Sequence, residues 1–239
     1  MSAIQRRLLP DTATVSADGA LSIGGVRIDD LVAEFGTPLF VYDEMHLRSR
    51  CRQAIAEIGE DGVVYATKAF LCGAMARLAN EEGLLLDVAT GGELFAAISA
   101  GVPAGRCVLH GNNKSSDELR LAITSGVNHI IVDSFDELDR LDALRAEGLP
   151  APHVQLRITP GVHAHTHEFV STGQDDSKFG FNLANGDAGR AIERAKSSAS
   201  VVLTGIHCHI GSNVLNAALF AKASEVMVEL FRGLDLPEI

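Results

Sequence analysis

The chain has no closely spaced cysteine pair. Cys51, Cys72, Cys107 and Cys208 are scattered and form no Cys-x-x-Cys motif, which argues against a zinc ribbon or a disulfide scaffold and favours a reducing, cytoplasmic setting. Positive charge is also scarce: 20 Lys plus Arg against 31 Asp plus Glu leave a formal net charge of −11. With no basic run either, the chain lacks the electrostatic footprint of a nucleic-acid binder. No apolar stretch approaches the ~20 residues that span a bilayer, so no membrane partner is expected. Arg6 and Arg7 near the amino terminus are not followed by the apolar core of a secretory signal. The Gly-x-Gly-x-x-Gly fingerprint of dinucleotide-binding sheets does not follow the first strand candidate. Internal repeats and low-complexity linkers are missing as well.

What is present is an alternation. The 239 residues, 46% of them hydrophobic, supply a core for one large domain or two small ones. Residues 1–37 read as a short leader with a Gly-rich turn at Gly24-Gly25. Beyond it, apolar runs occur near 63–68, 84–90, 107–112, 129–134, 153–158 and 202–211. Helix-like stretches occupy 43–58, 71–82, 91–101, 115–125, 135–147, 186–197 and 216–233. Strands alternating with helices imply βαβ units and a parallel sheet. The fold class is therefore α/β, and the tight spacing suits a (β/α)8 TIM-type barrel better than a doubly wound sheet. Six strand candidates stand where a barrel needs eight, so residues 38–239 read as a partial barrel, truncated relative to the complete fold. The segment 159–180 reads as a long loop of the kind that usually carries function.

Side chains alternate across a strand. Leu84, Leu86 and Val88 share one parity and Asp87 has the other. Val154, Leu156 and Ile158 form an apolar face opposite Arg157. Ile206, Cys208 and Ile210 oppose His207 and His209. With the apolar faces turned to the helices, the polar residues pointing inward near the carboxyl ends are Lys68, Asp87, His110, Asp133, Arg157, His207 and His209. One ionisable group at each of several strand ends is the layout of a barrel active site, and structural ion-pair networks produce it too. Lys68 ends the otherwise apolar run Val63-Val64-Tyr65-Ala66-Thr67-Lys68. At the mouth of a core, desolvation disfavours its charge, and a lysine so placed can serve as an amine nucleophile that forms a Schiff base. Alternatively it caps the strand and reaches to water.

Other signals are weaker. His163, His165 and His167 would share a face on an extended strand, as metal ligands do, but only Glu168 lies nearby as a partner. In His207-Cys208-His209 the cysteine has the wrong parity to join the histidines, so no metal is expected. Gly91-Gly92 opens a helix whose bare N–H groups suit an anion, or forms an ordinary tight turn. Gly211-Ser212 follows the last strand candidate, where a glycine and a hydroxyl suit a phosphate. Asn112-Asn113-Lys114 reads as a polar loop or as a polar wall of the site.

Several segments, in order from about residue 37 to 233, resemble the diaminopimelate decarboxylases among the fold type III, alanine-racemase-like pyridoxal-phosphate enzymes. They are Tyr65-Ala66-Thr67-Lys68-Ala69-Phe70, Asp87 followed by Gly91-Gly92-Glu93-Leu94, His110-Gly111-Asn112-Asn113-Lys114 and Val132-Asp133-Ser134. Further along come Pro160-Gly161-Val162, His165-Thr166-His167-Glu168, the stretch from Thr172-Gly173 through Asp176-Ser177-Lys178-Phe179-Gly180, and Gly205-Ile206-His207-Cys208-His209-Ile210-Gly211-Ser212.

The resemblance implies a cofactor, pyridoxal 5'-phosphate, carried by Lys68 through a Schiff base. It implies that His209 stacks on the pyridine ring, that Gly211 and Ser212 meet the phosphate region, and that Asp87 and Arg157 lie near the ring. Catalysis then falls to Lys68 and His209, and cofactor binding to Lys68, Asp87, Arg157, His209, Gly211 and Ser212. The implied reaction is decarboxylation of meso-2,6-diaminopimelate to L-lysine and CO2 by a cytoplasmic homodimer acting on a small amino-acid substrate. Sibling decarboxylases of ornithine, arginine or carboxynorspermidine, and a non-enzymatic pyridoxal-phosphate barrel, are the alternatives. The chain departs from the family pattern in ending before the glycine-rich phosphate loop, the Glu-Pro-Gly-Arg segment and the carboxyl-terminal β-domain. The expectation is that this polypeptide alone does not close its barrel and is inactive or unstable.

Overall fold

A computed structural model describes residues 5–161, 178–212 and 214–236. The chain divides into two compact units, Met1–Tyr65 with Leu78–Leu85, and Ala66–Arg77 with Leu86–Ile239.

The first unit opens with an antiparallel meander, β1 (Thr14–Val15), β2 (Leu21–Ile23) and β3 (Val26–Arg27). The expected turn at Gly24-Gly25 joins β2 to β3, with φ of 58° and 83°, a left-handed pair that glycine adopts without penalty. Helix α1 (Ile28–Phe35) follows, then α2 (Glu44–Ile58). Asp43 caps α2 by accepting the His46 amide at 3.0 Å, as N-cap carboxylates do. The strands and helix inside 1–37 were not legible, since runs of two or three residues carry no readable period.

The chain continues through β4 (Val64–Ala66), α3 (Gly73–Glu81), β5 (Leu85–Val88), α4 (Gly91–Ser99), β6 (Cys107–Leu109), α5 (Ser116–Ser125), β7 (His129–Val132) and α6 (Phe135–Ala146). After these come β8 (His153–Thr159), β9 (Phe181–Asn182), α7 (Asp187–Ser197), β10 (Val202–His207) and α8 (Ala217–Arg232). All six strand candidates of the sequence are strands, and all seven helical stretches from 43 onward are helices, most with ends shifted by a residue or two. In the second unit the strands lie in the order β10-β8-β7-β6-β5, each pair parallel, and β9 pairs in parallel with β8. The class is α/β, as expected.

The core lies between this sheet and its helices. Leu86, Val88, Leu109, Ile130, Val132, Val154, Leu156 and Ile206 of the sheet are buried, as are Leu94 and Ala97 of α4, Leu119 and Ala122 of α5, and Leu138 and Leu141 of α6. Each such aliphatic side chain contributes roughly 1.5–3 kcal/mol when fully buried. The strict polar-in alternation holds only in part. β6 is buried along its whole length and β7 over its last three residues, the near-continuous apolar run of a parallel strand covered on both faces. β9 escaped notice because it is two residues long, yet Phe181 is buried and meets Phe135 edge to face, 4.9 Å between ring centroids. No described helix is long and apolar enough to cross a membrane.

Candidate functional site

The carboxyl ends of the parallel strands gather the ionisable groups that parity singled out. Lys68 does not end a strand. It sits in a single 3-10 turn, Thr67–Ala69, directly after β4, and it is exposed. The desolvation expected at this position is therefore not seen, because the chain turns outward one residue before the lysine. Thr67, buried, anchors the turn by donating its hydroxyl to the Asp87 carbonyl at 2.8 Å. The peptide that carries the Lys68 amine is thus tied to the end of β5.

Asp87 and His110 meet at 3.2 Å between a carboxylate oxygen and Nδ1, and the backbone amide of His110 donates to the Val88 carbonyl at 2.8 Å. His110 in turn meets His207 edge to face, with centroids 4.5 Å apart and planes at 83°. His110 Nε2 and His207 Nδ1 are buried without a hydrogen-bond partner. Burial, reinforced by the charges of His110 and Arg157, holds His207 well below the ordinary histidine value. His207 pairs in register with Arg157 of β8. Arg157 binds Asp133 at 2.9 Å, and its guanidinium lies 4.9 Å from the Phe179 ring centroid, within cation–π range.

His209 lies just past β10 and is exposed. Partial desolvation, then the charges of Arg157, His110 and Lys68, lower its pKa, which places it within electrostatic reach of all three. Cys208 turns the other way, into an apolar cluster with Ile210, Val214, Leu219 and Ala223, as its parity requires. Gly211 follows with a φ of 132°, and Ser212 is exposed.

The anion reading of Gly91-Gly92 fails for a specific reason. Three side chains already hold that helix start: Glu118 accepts the Gly91 amide at 2.9 Å, Thr90 accepts the Glu93 amide at 3.1 Å, and Glu93 accepts the Ala89 amide at 2.7 Å. The tight-turn reading stands. Among the described residues no cluster of three or more His, Cys, Asp or Glu is placed to hold a metal. His163, His165 and His167, and most of the 159–180 loop, lie outside the described residues.

Sequence reading missed the most buried ionic group of the site. Lys114, assigned to a polar loop or wall, has a side chain only 1% exposed and pairs with Glu137, 3% exposed, at 2.9 Å. Burial raises the Glu137 carboxyl above its ordinary value and Lys114 opposes that rise. The spacing Ser134-x-x-Glu137 was the available signal, since it has the form of a capping box. Ser134 does accept the Glu137 amide at 3.2 Å, but the Glu137 carboxylate reaches Lys114 and the Asp133 amide.

Residues 44–236 match the family described as pyridoxal-dependent decarboxylase, pyridoxal binding domain. The chain is 48% identical over 231 residues to the diaminopimelate decarboxylase of Bacillus subtilis, a match covering 95% of this chain and 52% of that protein. It is 46% identical over 224 residues to that of Mycobacterium tuberculosis strain H37Rv, covering 93% and 50%. The chain thus spans about half the length of the curated relatives it matches. The crystal structure of diaminopimelate decarboxylase from M. jannaschii in co-complex with L-lysine superposes with a TM-score of 0.81 at 32% identity, covering 92% of this chain and 52% of that one.

Proposed function

The chain belongs to the pyridoxal-dependent decarboxylases through its pyridoxal-binding domain, and from that premise we propose that the complete protein decarboxylates meso-2,6-diaminopimelate to L-lysine and CO2, the lysine-forming step of amino-acid biosynthesis. The observation that carries this reading is the strand-end constellation itself, a reachable primary amine on a turn pinned to Asp87, with His209 within electrostatic reach of Lys68, Arg157 and His110. The relatives named diaminopimelate decarboxylase, and one such enzyme solved with L-lysine, point to the substrate.

The residues present fit pyridoxal phosphate. Lys68 offers an exposed amine for the aldehyde. His110 Nε2 and His207 Nδ1 are buried polar atoms still lacking a partner. Gly211 and Ser212 offer an amide and a hydroxyl at a turn where φ is 132°. When bound, the cofactor supplies an electron sink that lets the α-carboxylate leave as CO2.

The chain's own groups then divide the remaining work. Lys68 would hold the cofactor aldehyde through its exposed amine. His209, within electrostatic reach of Lys68, would pack against the cofactor ring. Asp87 orients the His110 ring through Nδ1 at 3.2 Å. Arg157, held by Asp133, contributes a fixed positive charge. Gly211 and Ser212 would hold the phosphate. The reading extends to a cytoplasmic homodimer and to residues 38–239 as the cofactor-binding barrel after a leader of 1–37.

Release of CO2 from diaminopimelate by the full-length protein with added pyridoxal phosphate tests the proposal. Turnover of diaminopimelate is the expected result. Turnover of ornithine, arginine or carboxynorspermidine in its place assigns a sibling activity, and cofactor binding without any turnover overturns the enzymatic reading.

A further inference from the structure

The Lys114–Glu137 pair calls for an explanation that stability does not provide. A buried ion pair is often no better for stability than apolar side chains of the same volume, because desolvation offsets the attraction. What it provides is direction. Lys114 Nζ donates to the Gly111 carbonyl and to the Ile131 carbonyl at 2.7 Å, and forms an ion pair with Glu137 Oε1 at 2.9 Å. The other Glu137 oxygen accepts the Asp133 amide at 3.1 Å. The Asp133 carboxylate is likewise shared, Oδ1 with Arg157 at 2.9 Å and Oδ2 with the Gly180 amide at 3.1 Å. One polar chain therefore runs from the loop after β6, through the end of β7, to the end of β8 and the segment entering β9. A buried network of ion pairs and hydrogen bonds such as this one resists rearrangement, since a shift separates buried charges or leaves a buried donor unpaired.

We propose that Lys114 and Glu137 are positioning residues that set Arg157 at the cofactor through Asp133. Lys114 fixes Glu137, Glu137 fixes the Asp133 backbone, and Asp133 aims the guanidinium, which Phe179 flanks at 4.9 Å. Gly180 belongs to the same device. Its φ is 71°, and a Cβ there would stand 2.7 Å from the Arg157 carbonyl oxygen, so only glycine lets its amide approach Asp133. The inference rests on the reading of this strand end as the pyridoxal-phosphate site.

The test uses the full-length protein and measures the dissociation constant of pyridoxal phosphate by absorbance titration, with the melting temperature recorded beside it. Two double variants replace the pair without leaving a buried charge. Lys114→Met/Glu137→Met removes the acceptor for the Asp133 amide, and Lys114→Met/Glu137→Gln retains one. The Met/Met protein is expected to bind the cofactor about tenfold more weakly than wild type, a coupling of ordinary size between neighbours. The Met/Gln protein, which keeps an acceptor but loses the lysine that fixes it, is expected to bind more weakly than wild type and more tightly than Met/Met. Placed in an Arg157→Met background, the Met/Met change should add nothing further, because its route is already cut. Equal affinities for both double variants, or an undiminished effect in that background, overturn the inference. Should Met/Met fail to fold, binding by the Met/Gln protein equal to wild type overturns it. A wild-type protein that binds no pyridoxal phosphate removes the site reading instead.

Discussion

His110 and His207 stand edge to face, 4.5 Å between ring centroids, and their Nε2 and Nδ1 atoms respectively are buried without a hydrogen-bond partner. Two imidazoles at this distance do not both carry a proton's charge without repulsion.

Acid sensitivity follows from that contact. His207 is held well below 6.5 by burial and by the charges of His110, Arg157, His209 and His129, while in the unfolded chain it titrates normally. Below pH 6.5 the unfolded chain binds a proton that the folded one refuses, so stability is fully present above 6.5 and is lost as pH falls toward the folded value. Melting temperature measured from pH 8 to 5 should drop below 6.5, and His207→Asn should flatten the drop. An unchanged slope in that variant would assign the loss to other groups.

Lys68→Ala in the full-length protein should abolish both decarboxylation and the visible absorbance of lysine-linked pyridoxal phosphate while leaving the fold intact, since the side chain is exposed. Retention of that absorbance would move the amine role to another lysine.

Gly180→Ala should destabilise by about 1–3 kcal/mol, the usual range for forcing a side chain into a left-handed backbone position, here aggravated by the 2.7 Å approach to the Arg157 carbonyl. Urea unfolding measures the loss. A neutral result would show that β8 and β9 can part without consequence.

Glu118 caps two helices at once, through the Gly91 amide of α4 and the Ser115 amide of its own α5 at 2.9 Å. These bonds, the Gly91 amide first, lower its pKa, so its contribution is present above about pH 4.5 and lost as pH falls through the folded value. Glu118→Ala should cost roughly 1–2 kcal/mol at pH 7, as cap deletions do, and much less near pH 3. Denaturant titration at the two pH values separates these outcomes.

Much of this was readable in the chain. The α/β order came from periodicity, and the inward set Asp87, His110, Arg157 and His207 came from parity alone. The short elements β1, β2, β3 and β9 were hidden because two or three residues are too few to show a period. Lys68 was misjudged in its setting. Propensity extended β4 through it, whereas the buried Thr67 hydroxyl takes the Asp87 carbonyl and turns the chain out. Lys114 was hidden for the opposite reason, since a polar residue in a polar run gives no sign that its partner waits 23 residues on. The resemblance added the cofactor, which spacing alone does not supply.

The burial of Lys114 has a chemical consequence for a second lysine. With 1% of its side chain exposed, its amine leaves no path for an aldehyde to approach. Lys68, exposed, leaves one open. Competition between these two amines for a carbonyl compound is therefore decided by the folded chain before any such compound arrives, and mild reductive alkylation should mark Lys68 and spare Lys114.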